Sequence, residues 1–98
     1  MQLLYFVPSQ NFESVKNALL KDDKVSRMSI LFRAATSFGK KESGSYIALS
    51  GLDDAAEKAK TIIGEQGNLV EGKEREDVLS RIRMEEEATE QGFGSIFG

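Results

Sequence analysis

YIALSG-LDDAAEKAKTIIGEQG-NLVEG, running from Tyr46 to Gly72, is the stretch whose reading decides the fold. Tyr46 to Leu49 is a short apolar run between Gly44 and Gly51, which suits a buried strand. Leu52, Ala55, Ala56, Ala59, Ile62 and Ile63 then recur at helical spacing and share one face. Asp53 or Asp54 can cap the first turn, where a carboxylate also suits the positive end of the helix dipole. Asp54 and Glu57 have capping-box spacing, with Asp in place of Ser or Thr. Gly67-Asn68 tolerates left-handed dihedrals and is the expected stop. Asn68 to Gly72 leaves room for a short edge strand. The stretch reads as strand, helix, strand, with small alanines that let the helix lie close to a sheet.

Upstream, Leu3-Leu4-Tyr5-Phe6-Val7 is a continuous apolar run, as expected of a central strand that Pro8 ends. Ser9 or Asn11 is the expected cap of a helix from about Gln10 to Lys21, buried through Phe12, Val15 and Leu19 with Ala18 beside them. Asp22-Asp23 breaks it. Val25 to Thr36 reads as one long strand, in which Met28, Ile30, Phe32 and Ala34 alternate with Arg27, Ser29, Leu31 and Arg33. Phe38 to Ser45 is a polar, glycine-containing hairpin loop, expected to be mobile.

Downstream, Lys73 to Gln91 reads as a third helix with a thin stripe of Val78, Leu79 and Ile82. The sequence predicts a helix over Glu76–Glu90 that is held at its start, docked on the open sheet face of the same chain or a partner, and loose at its end, fraying beyond about Met84. Gly92 to Gly98 is a glycine-spaced apolar tail in which Phe93, Ile96 and Phe97 are candidate docking residues. The organisation is a compact unit at 1–72, a C-terminal helix at 73–91 and a flexible tail at 92–98.

The order β-α-β-β-α-β with right-handed crossovers predicts an α+β, ferredoxin-like antiparallel sheet in the order 4-1-3-2. Two helices cover one face. The first and third strands are the most apolar and belong in the centre.

Ninety-eight residues make one domain without room for a deep interdomain cleft. With neither cysteine nor histidine, the chain lacks disulfides, thiolate ligands and the commonest general base. No apolar run reaches the ~18 residues of a membrane span, and MQLLYFVPSQ lacks the features of a secretory signal. A cytoplasmic, non-membrane protein is expected. The formal charge is −3, split as +3 over residues 1–52 and −6 over residues 53–98. The acidic second half disfavours non-specific binding to nucleic acid or anionic lipid.

Candidate chemistry is sparse. Asp53, Asp54 and Glu57 are best read as a helix cap, and Glu85-Glu86-Glu87 with Glu90 as a solvated helix face. Phe38-Gly39-Lys40-Lys41 lacks the second glycine and the Ser or Thr of a phosphate loop. No metal or cofactor is expected, and no self-contained active site.

If Leu4, Phe6, Ile47 and Leu49 face the helices, Tyr5 and Tyr46 point from adjacent strands to the other sheet face, flanked by Arg27 and Arg33. In this respect the chain resembles an RNA-recognition motif. Leu4-Tyr5-Phe6-Val7 is similar to that family's first-strand motif. Gly44-Ser-Tyr-Ile-Ala-Leu49 followed by Asp53-Asp54-Ala-Ala-Glu-Lys-Ala59 is similar in layout to its third strand and second helix. The resemblance implies single-stranded RNA binding through Tyr5, Arg27, Arg33 and Tyr46, although one aromatic place of the third strand is filled by Gly44 or Ser45. The same element order is similar to ACT-type regulatory domains, which dimerise through their sheets; Pro8-Ser9 replaces the glycine of their ligand site. Two functions therefore compete. The first is a small non-enzymatic interaction or regulatory module, a homodimer or bound to a protein partner through the open sheet face. The second is an RNA-binding module.

Overall fold

A computed structural model describes the backbone of residues 1–97 and the side chains of residues 1–87. Strand β1 (Gln2–Pro8) leads into helix α1 (Ser9–Lys21); β2 (Ser29–Ala34) and β3 (Gly44–Ser50) form a hairpin. Helix α2 (Asp53–Ile63), the short strand β4 (Asn68–Leu69) and helix α3 (Gly72–Phe97) follow. The fold is α+β: a four-stranded antiparallel sheet in the order β2-β3-β1-β4, with three helices. Read from the β4 edge, that order is 4-1-3-2.

The pleat sends alternate residues to opposite faces. Leu3, Tyr5, Val7, Ile47 and Leu49 pack with Val15, Leu19, Ala55, Ala56, Ala59 and Ile63 under α1 and α2. Leu4, Phe6, Tyr46 and Ala48 form a second core with Val78, Leu79 and Ile82 of α3. The sheet is therefore covered on both faces, and α3 occupies the one expected to be open. Burying its three aliphatic side chains contributes roughly 5–9 kcal/mol before ordering costs.

Several local expectations are corrected. Val25–Arg27 is a 3-10 turn and not the start of β2. The Asp22 carboxylate accepts hydrogen bonds from the Lys24 and Val25 amides at 3.0 and 3.1 Å and curls the chain before the strand begins. Those bonds, that of Val25 first, lower the Asp22 pKa. Helix α1 starts after Pro8 without a side-chain cap. Ser9 Oγ instead lies 2.6 Å from Ser43 Oγ, and Asn11 Nδ2 donates to the Gln66 carbonyl. Ala18 is exposed. Leu52 sits before the first turn of α2 in extended conformation, off the helical stripe, and is 77% exposed. The Asp54 carboxylate accepts from the adjacent Ala55 amide, while Glu57 pairs with Lys60, so the capping box does not form.

Helix α2 ends at Gly64, φ +50°, three residues before the expected stop. Gly67 serves another purpose: a Cβ there would lie 2.9 Å from Ile63 Cγ2 and 3.0 Å from Val7 Cγ2. The hairpin loop is pinned at its root. Residues Ala35–Phe38 form a 3-10 turn, with Ala35 buried and Phe38 packed on the second core.

Candidate functional site

The four residues singled out from the sequence do not assemble. Tyr5 pairs across the sheet with Ile47, so it shares the face covered by α1 and α2 and is buried there. Burial raises its phenol pKa. The expected placement of Tyr5 beside Tyr46 on one face is thus overturned by a register in which Tyr46 opposes Phe6. Leu4 and Phe6, expected under α1 and α2, take the other face for the same reason. Arg27 lies exposed in the turn before β2, away from this cluster. Arg33 and Tyr46 do meet, as cross-strand partners on β2 and β3. Phe93, Ile96 and Phe97, and Glu90 of the acidic run, fall outside the residues whose side chains are described; the backbone of α3 runs past the division expected at Gln91 to Phe97.

What the sheet assembles around Tyr46 is a latch for α3. The Tyr46 hydroxyl donates to Glu74 Oε2 at 2.6 Å. Lys40 Nζ lies 3.5 Å from the same oxygen, 4.0 Å from Glu42 and 4.7 Å from the centre of the Phe6 ring. Phe6 and Phe38 meet the Tyr46 ring edge-on, at centroid distances of 5.9 and 5.6 Å. Arg81 stacks on Phe38 at 4.9 Å and donates to the Ser37 carbonyl. Beside this cluster lies a groove of about 580 Å³, bordered by Phe38, Tyr46, Asp77 and Arg81.

The electrostatics keep the latch shut near neutral pH. Burial first, then the bond to Glu74, drive the Tyr46 phenol far above its ordinary pKa. The bond from Tyr46, with help from Lys40, holds the Glu74 carboxyl below its ordinary value. The two pKa values move apart and away from neutrality, which suits a fixed donor and acceptor and not a proton shuttle. Among the described residues, no three His, Cys, Asp or Glu side chains gather to hold a metal. Among them too, no helix is long and apolar enough to cross a membrane.

Sequence reasoning missed Glu74. Its signal was present: Glu74, Val78 and Ile82 recur at intervals of four, so the carboxylate lies one turn ahead of the apolar stripe on the same face.

The outer edge of β2 is the second feature. Met1 and Gly51 exchange both their backbone bonds, and the Ser9 amide donates to the Ser43 carbonyl. Odd-numbered residues of β3 therefore bond to β1, and even-numbered ones to β2. On β2 this turns Ser29, Leu31 and Arg33 inward to β3. The N–H and C=O groups of Ile30 and Phe32 point away from the sheet. The Arg33 guanidinium folds back onto the Phe32 carbonyl at 2.9 Å, with its Nε 3.4 Å from Glu85. On the opposite side of the sheet, Arg75 donates to the Gln2 carbonyl at 2.9 Å, beyond the end of β4.

No family model matches this chain, and no curated protein or solved structure gives a significant match.

Proposed function

We propose that this chain is a small non-enzymatic interaction module on a ferredoxin-like frame, which engages a protein by adding a strand at the free edge of β2. The observation that carries this reading is the outward set of backbone groups on Ile30 and Phe32. Such groups are a template for another strand, and here they lie between two packed layers. The sheet face through which association was expected is occupied by α3, so the contact moves to the edge.

RNA binding is the weaker reading. Base stacking needs exposed rings on one face. Tyr5 lies under α1 and α2, while Tyr46 lies under α3 with its hydroxyl bonded to a carboxylate.

Light scattering at low and high salt, with and without a single-stranded oligonucleotide, separates the two. A protein interface gives association that persists in salt and ignores the oligonucleotide. Counterion release makes RNA binding fall steeply with salt. A monomer that binds the oligonucleotide at low salt would overturn the proposal.

A further inference from the structure

The β2 edge is complementary to itself. We infer that a second copy of this chain pairs antiparallel along β2, with Leu31 of each copy on the two-fold axis, forming one continuous sheet across a homodimer. The inference rests on the interaction-module reading and names its partner.

The register follows from the outward groups. Antiparallel pairing through Ile30 and Phe32 places Ile30 of one copy opposite Phe32 of the other, and each such pair exchanges both its N–H···O bonds. Leu31 then faces Leu31 as a non-hydrogen-bonded pair. Ser29 faces Arg33. Sliding one outward step, so that Phe32 faces Phe32, would set Arg33 against the apolar Leu31 of the second copy, and a further step would set Arg33 against Arg33, which like-charge repulsion disfavours.

The chosen register extends both cores. Ile30 and Phe32 are half-buried against the layer of α1 and α2, with the Phe12 ring edge-on to Phe32 at 5.6 Å. Leu31 is half-buried against the layer of α3. Across the axis each of these side chains meets an apolar one. Arg33 acts as a guard on the edge: its guanidinium occupies the Phe32 carbonyl and must swing away before the second strand docks.

The absence of cysteine makes the test direct. Opposed residues of a non-hydrogen-bonded pair have Cα atoms about 4.5 Å apart, within the roughly 4.4–6.8 Å span of a disulfide. Under mild oxidation, Leu31→Cys forms a covalent dimer. Ser29→Cys does not, because its two copies lie four residues out of step, about 13 Å apart. An equal mixture of Ser29→Cys and Arg33→Cys gives the mixed dimer.

Should Leu31→Cys fold poorly, charge at exposed Ser29 gives an independent reading. Ser29→Glu faces Arg33 of the second copy and tightens the dimer, while Ser29→Lys loosens it. Their dissociation constants, from sedimentation, differ on the order of tenfold. A dimer in which Leu31→Cys crosslinks no better than Ser29→Cys, with the two charge variants alike, overturns this register but leaves the interaction-module reading standing. A monomer that binds the oligonucleotide overturns both.

Discussion

Tyr46 and Glu74 come from positions 28 residues apart and share one short hydrogen bond. Replacing Tyr46 by Phe keeps the ring contacts and removes the donor. Because Glu74 is about half exposed, with a side-chain accessibility of 46%, solvent screening limits the loss. Urea unfolding at pH 7 is expected to show a cost of about 1 kcal/mol. The pH dependence has a definite sign. Glu74 titrates lower in the folded chain than in the unfolded one, so its contribution is present above the unfolded carboxylate pKa and is lost as pH falls through the folded value. Tyr46 titrates higher in the folded chain, so its contribution holds below the unfolded phenol pKa of about 10 and is lost as pH rises towards the folded value. Tyr46→Phe should flatten stability in both windows, and a wild-type acid limb unchanged by the substitution would refute the latch. Gly44 tests packing at the same scale. A Cβ there would lie 2.6 Å from the Val7 carbonyl oxygen and 2.7 Å from Phe6 Cζ. Gly44→Ala is therefore expected to cost about 1–3 kcal/mol in urea unfolding.

Among the elements, α3 is the one that changes the picture of the sheet. It starts at Gly72, whose φ of +68° favours glycine, and turns back over the face formed by Leu4, Phe6, Tyr46 and Ala48. Ile82→Ala removes the last apolar contact that α3 makes with that face among the described residues. It should cost about 2–5 kcal/mol by thermal or urea unfolding, and a neutral result would show that α3 does not seal the sheet. Among the described residues, Ile82 is the last in sequence to join either core. Truncation after Gln91 is therefore expected to leave a folded domain with a cooperative melt, and an unfolded product would contradict this.

The sequence made the strand and helix order legible because the periods of two and 3.6 alternate cleanly, and α3 docks through the three residues its stripe named. The register was not legible. The first strand is apolar at every position from Leu3 to Val7, so alternation gives no sign of which residues face the helices, and nothing in the pattern places Tyr5 on the side of α1 and α2. The turn at Val25 was hidden too, because the Asp22 carboxylate that organises it lies outside the apparent strand pattern. Of the candidate site, only Arg33 and Tyr46 came together as neighbours, since their pairing depends on the β2–β3 register and not on the misassigned first strand.

At the scale of the whole molecule, both sheet faces are closed by helices, and the β2 edge carries the proposed association. Ile30 and Phe32 hold their amides outward for a second strand, while Leu31 and Arg33 direct theirs to β3. Residue-resolved amide hydrogen exchange, measured across a dilution series, reads those amides one by one. Leu31 and Arg33 are expected to exchange slowly at every concentration. Ile30 and Phe32 should exchange fast when dilute and slow down in step with the rise in mass. Association that leaves the Ile30 and Phe32 amides as fast as in the dilute chain would contradict pairing at this edge.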